Sequence, residues 1–167
     1  MYNKYKKSLS LLNIIFALLI ALMMVFTVLR TEDGDGIMDG FTAVFGGEVG
    51  SIGDFVTVNV TFNLAVFFAF LLPLIFTIGI FILTKRQTYN DSIHVLFNVL
   101  ILVSFTYSLI IFLNLGKYTG GTTTFFAGTA SYTYEGARLA LGSILAIIFA
   151  VAGIISSGTK TYLLIQK

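Results

Sequence analysis

The chain has 167 residues, 57% of them hydrophobic and only 11% charged, with a mean hydropathy of +0.95 and a net charge of +2. That balance lies outside the range of water-soluble domains, so one integral membrane domain is expected, with the lipid bilayer as its first partner and no nucleic acid. Cysteine is absent, which excludes disulfides, thiolate metal sites and thiol nucleophiles.

Taken in order, Lys4, Lys6 and Lys7 precede an apolar run over 9–29, interrupted only by Ser10, Asn13 and Thr27. A hydrocarbon core of ~30 Å requires ~20 apolar residues at ~1.5 Å each, so this run predicts a first transmembrane helix. A secretory signal is the competing reading. The run is longer than a signal's apolar segment, and no small-x-small cleavage site follows it.

Residues 30–61 form a first outer loop. Its acidic opening partly matches a calcium-binding EF-hand loop, with Asp33, Asp35, Gly36, Met38 and Asp39 at positions 3, 5, 6, 8 and 9 if Thr31 is position 1. Thr31 and Thr42 stand where the first aspartate and the bidentate glutamate belong, so a solvated acidic turn is the favoured reading over a weak calcium site. Phe41 to Phe45 reads as extended, with Gly46 and Gly47 breaking it. Val56 to Thr61 alternates apolar and polar β-branched residues, the pattern of a half-buried strand.

A second helix is predicted over 62–83. Pro73 within it removes the N–H that would meet the carbonyl of Ala69, so a neighbour must satisfy that oxygen. The inner link 84–94 carries Lys85 and Arg86, and Asp91 or Ser92 can cap the third helix, 95–115. His94 is the single histidine; alone it makes no metal site and reads as an interfacial residue. Ser104, Tyr107, Ser108 and Asn114 share about a third of the third helix's circumference at ~100° per residue. They form the most polar face expected in the membrane and are candidates for lining a pore. Asn13 with Asn98, and Asn63 with Asn114, lie at matching depths for cross-helix pairs.

The second outer loop, 116–138, predicts strands at 122–126 and 131–134 around a turn at 127–129. Since a lone hairpin is marginal in water, these strands are expected to join those of the first loop in a small sheet. The fourth helix is predicted over 139–155, with Gly142, Ala146 and Ala150 as a helix-packing face and Gly158 as its stop.

Seven basic residues against Asp91 place +6 on the termini and inner link, while three basic against seven acidic residues leave −4 in the outer loops. This is the positive-inside pattern, and it predicts an integral protein of the cell membrane with both termini cytoplasmic. With 62–83 and 95–115 uncharged and no ionisable residue expected in any span, ion-coupled transport loses support. No catalytic residues, cofactor or metal site are predicted. The chain is read as a non-enzymatic tetraspan protein acting through lateral association with itself or another membrane protein, or as a scaffold. The alternatives are a homo-oligomeric channel and an accessory subunit of a larger complex. Four helices, a longer first and a shorter second outer loop, and strands from both loops resemble the layout of claudin-type tetraspans. Residues 40–47 stand where that family carries its Trp and paired-Cys signature, without either residue, so the resemblance is one of topology and implies architecture alone.

Overall fold

A computed structural model describes residues 2–52, 56–85, 91–125 and 128–166. Four of its helices are long and apolar enough to cross a membrane, and small β-sheets accompany them, so the chain is a membrane helical bundle. The first helix, α1 (Tyr2–Leu22), runs through a 3-10 turn at Met23–Val25 into β1 (Thr27–Arg30). Then come β2 (Gly36–Asp39), α2 (Gly40–Phe45), β3 (Gly47–Ile52), β4 (Val56–Val60) and α3 (Leu64–Lys85). The second half comprises α4 (Asp91–Leu113), the one-turn α5 (Leu115–Tyr118), β5 (Gly120–Phe125), β6 (Gly128–Thr133), β7 (Arg138–Leu139) and α6 (Leu141–Ile165).

The four long helices form a ring in which α1 packs on α3 and α6, and α4 packs on the same two. Neighbours run antiparallel. Ser156 on α6 donates to the carbonyl of Leu9 at one end, while Gly142 lies against Phe26 and Thr27 at the other. The interior holds Ile20, Val66, Phe70, Ile101, Phe105 and Phe112, with the Phe70 and Phe112 rings edge to face at 4.7 Å between centroids. Outward, Leu18, Ile75, Ile82, Val103, Ile110, Ile148 and Ile155 are exposed. In water such a belt would be an aggregation surface; against acyl chains it is solvated.

The sheet expected from the two loops is present, with antiparallel order β3-β4-β5-β6 and register Val58↔Thr123, Val60↔Gly121 and Thr122↔Ser131. Of the turn expected at 127–129, residue 127 lies outside the described residues, as does residue 126 of the expected strand, while Gly128 and Thr129 already belong to β6. Gly121 lets β5 press on β4, because a Cβ there would collide with the Asn59 carbonyl. Beside the sheet's foot, the Tyr132 and Tyr134 hydroxyls lie 3.0 Å apart. Burial, and then the hydrogen bond to Tyr132, push the Tyr134 phenol well above its ordinary pKa.

Four expectations need correction. The first helix ends at Leu22 rather than near 29. Val28 and Leu29 are fully buried in β1, the central strand of a second sheet, β2-β1-β7, so apolar composition there reflects a strand enclosed by its neighbours. Residues 41–45 are helical, not extended. The Asp39 carboxylate accepts from the Thr42 N–H at 2.8 Å, and Gly46, at φ 81°, ends the turn. The third apolar helix stops at Leu113, with α5 forming a separate turn after Asn114. Finally, α6 passes Gly158 and continues to Ile165. Its last turns are held by Asn98 of α4, which donates to the Ser157 carbonyl at 3.0 Å and meets the Thr161 hydroxyl at 2.7 Å. A glycine ends a helix only where the chain turns left-handed, and no such turn is needed here.

At Gly153 a Cβ would lie 2.5 Å from the Phe105 ring, so α6 and α4 meet through that absent side chain. Gly153→Ala is expected to destabilise the purified protein by ~1–3 kcal/mol, the usual cost of overpacking. Phe105→Leu in the same chain should recover part of the loss in thermal unfolding; an unchanged midpoint for the single variant would remove this contact from the account. A second expectation follows from Tyr134. Because its folded pKa is raised, its contribution is complete below the ordinary phenol value and is lost as pH rises above it. Tyr134→Phe should therefore lower stability at neutral pH by about 1 kcal/mol, the scale of the lost hydrogen bond to Tyr132, and flatten the alkaline decline, as read by thermal unfolding across pH.

Candidate functional site

Between α3 and α4 lies a polar seam created by Pro73. The carbonyl of Ala69, which has no N–H from residue 73, accepts from the Ser108 hydroxyl at 2.6 Å. That hydroxyl also lies 3.0 Å from the Ser104 carbonyl. Four residues earlier on α3, the Ala65 carbonyl receives the Tyr107 hydroxyl at 3.1 Å, and Thr77 donates to the Pro73 carbonyl at 2.8 Å. Ser104 donates back to Ile101 at 2.8 Å and is fully buried with Ser108. Asn114 stands apart at the end of α4, exposed, with its amide on the Ile110 carbonyl. Three of the four polar residues on this face therefore lie at or within the bundle, and two of them bond α3 directly.

The face carrying Gly142, Ala146 and Ala150 is likewise occupied from within. A Cβ on Gly142 would meet the Thr27 carbonyl at 2.9 Å, and Ala146 and Ala150 are fully buried. The asparagines do not pair as their depths suggest. Asn98 turns to α6, and the buried Asn13 side chain makes no hydrogen bond. Asn63 caps α3 by accepting from the N–H groups of Ala65 and Val66, and donates to the Tyr118 carbonyl. In the acidic loop, Asp35 N–H reaches the Thr31 hydroxyl at 3.1 Å, Glu32 pairs with Arg138 at 3.3 Å on the surface, and Asp39 caps α2. Gly36 to Asp39 runs straight as β2, which separates the ligands a calcium loop would curl together. Among the described residues no group of three or more His, Asp or Glu is placed to hold a metal.

At the end of the bundle that carries both chain ends, a cavity of about 250 Å³ is lined by residues from all four long helices. Lys7, Ser10, Leu11 and Ile14 come from α1, Ile80 and Phe81 from α3, His94 from α4 and Lys160 from α6. Lys160 is only 3% exposed, whereas Leu11 is 60% and Phe81 49% exposed, which puts the mouth on the α1–α3 side. Lys7, His94 and Lys160 fall outside the spans expected at 9–29, 95–115 and 139–155, yet they belong to the long apolar helices, because α1, α4 and α6 extend past those bounds. The missed signal was helical spacing. Gly153, Ser156, Ser157 and Lys160 recur at i, i+3, i+4 and i+7, continuing the small-residue face past 155.

No protein-family model matches this chain, and no curated protein or solved structure matches it either.

Removing the Ser108 hydroxyl leaves the Ala69 carbonyl unsatisfied in a setting without water. Ser108→Ala is expected to cost ~1–2 kcal/mol, the scale of an interhelical hydrogen bond in a membrane. In a Pro73→Ala background, where residue 73 supplies its own N–H, the same change should cost measurably less. A double-mutant cycle by reversible detergent unfolding reads the difference, and strict additivity would show that Ser108 does not answer for Pro73.

Proposed function

We propose that this is a non-enzymatic tetraspan protein of the cell membrane, with both termini cytoplasmic, which works by associating with itself or another membrane protein through the sheet β3-β4-β5-β6. The observation that carries this reading is the sheet's two-sidedness. Cross-strand partners share a face, so Val56, Val58, Phe125 and Ala130 lie on one side and Thr57, Thr122, Thr124 and Ser131 on the other. Phe125 and Ala130 are exposed on the apolar side, and β3 and β6 each have one strand neighbour, leaving edges able to accept a further strand.

The orientation rests on charge. The basic residues gather at the chain ends and the acidic ones in the loops that build the sheet, as the positive-inside bias requires. Both loops feeding one sheet above four helices supports the analogy with claudin-type tetraspans as architecture. The small-residue face of α6 lends the association reading no support, because it is filled within the chain. A channel lined by Ser104, Tyr107, Ser108 and Asn114 is the weaker alternative, since its two serines are committed to backbone carbonyls inside one bundle. An accessory subunit is the same association with a foreign partner.

The mass of the protein extracted in nanodiscs tests this. A defined homo- or hetero-complex is expected, and Phe125→Lys with Ala130→Lys should dissociate it while leaving thermal stability within a few degrees. A monomer without co-purifying protein, or a complex indifferent to both lysines, would overturn the proposal.

A further inference from the structure

The cavity at the chain-end face combines features that a purely structural void lacks. Its depth is the first. Lys160 is 19 residues past Leu141 on α6, and His94 is 19 residues before Leu113 on α4. At ~1.5 Å per residue both lie about 28 Å along their helices. A hydrocarbon core is ~30 Å thick, so both basic side chains sit at the level where phospholipid phosphates of the adjoining leaflet begin. Lys7, which opens the apolar part of α1, joins them around the same space.

The lining is the second feature. Two lysines, a histidine and the Ser10 hydroxyl occupy one part, with no carboxylate among the described lining residues. Leu11, Ile14, Ile80 and Phe81 make up the rest. At this level a long side chain usually reaches out to water, yet Lys160 is almost wholly removed from solvent and held within the bundle. Here it faces a recess with an apolar wall and a lipid-side mouth. Binding sites for small molecules usually span ~300–1,000 Å³; about 250 Å³ is too small for a whole lipid and suits a headgroup with the first part of its chains.

We infer that this cavity holds the phosphate of an anionic phospholipid, with Lys160 and Lys7 as its cationic contacts, Ser10 and His94 as hydrogen-bonding neighbours, and the acyl chains leaving between Leu11 and Phe81. Basic recesses between transmembrane helices recognise anionic headgroups through the same chemistry. Phosphate is the shared group, and a soluble organic phosphate would use the same contacts; the apolar wall and lateral mouth are what favour the lipid. The site is independent of the outer sheet and of any association through it.

The test is native mass spectrometry of the full chain in mild detergent, titrated separately with phosphatidylglycerol, phosphatidylcholine and glycerol 3-phosphate. Phosphatidylglycerol is expected to bind at least tenfold more tightly than phosphatidylcholine. Lys160→Gln should weaken it about tenfold, the scale of one charge-assisted contact, with phosphatidylcholine unchanged. Should Lys160→Gln fail to fold, Lys7→Gln at the exposed rim reads the same charge. Leu11→Trp, which narrows the mouth and keeps every charge, should also reduce phosphatidylglycerol binding. Equal affinity for the two lipids, or full affinity in the folded lysine variants, would overturn the site. Displacement of the lipid by an equal concentration of glycerol 3-phosphate would overturn the lipid assignment in favour of a soluble phosphate.

Discussion

Inside a bilayer no water stands ready to satisfy a backbone carbonyl, and a proline in a spanning helix creates one such carbonyl by its chemistry. At Pro73 the orphan belongs to Ala69, and the arrangement of α3 and α4 follows from how it is answered. Ser108 can reach it only if α4 presents its hydroxyl-bearing face to α3. That orientation also brings Tyr107 to Ala65, sets Phe112 against Phe70, and leaves the opposite face of α4, with Val103 and Ile110, to lipid. The polar face of α4 is therefore a hydrogen-bonding surface turned toward a helix that needs it.

The rest of the bundle closes by a different means. Lipid gives no hydrophobic reward for bringing helices together, so close packing has to come from shape. On α6 the shape comes from a stripe of small residues. Gly142 admits the chain as it leaves α1 for β1, Gly153 admits the Phe105 ring, and Ser157 offers a carbonyl to Asn98. Beyond the stripe the helix stays bound to α4 through Thr161, and this extension carries Lys160 into the bundle. The buried lysine and the length of α6 are one structural fact.

The two ends of the molecule differ in chemistry. One carries sheets built from both loops, with hydroxyl-rich and apolar sides, and among the described strands β3 and β6 form the edges of the larger sheet. The other carries Lys7, His94 and Lys160 around a recess whose remaining wall is apolar, the arrangement from which the anionic headgroup is inferred. A bundle of four long apolar helices lies between them.

Much of this was legible in the residue pattern, because the bilayer imposes a length and a hydrophobicity that composition displays directly. The four helices, the strand at Val56 to Val60 with its strict alternation, the hairpin of the second loop and the need to satisfy the Ala69 carbonyl all have local causes. What sequence reading missed has causes distant along the chain. Val28 and Leu29 are apolar because β2 and β7 flank them, which looks the same as membrane burial when read locally. Phe41 to Phe45 has strand-like propensity and is helical because Asp39 caps it. Gly158 does not end α6, because Asn98, some sixty residues earlier, holds the next turn in place. The recess at Lys160 requires side chains from four helices to converge at one depth, and only the tertiary packing decides that convergence.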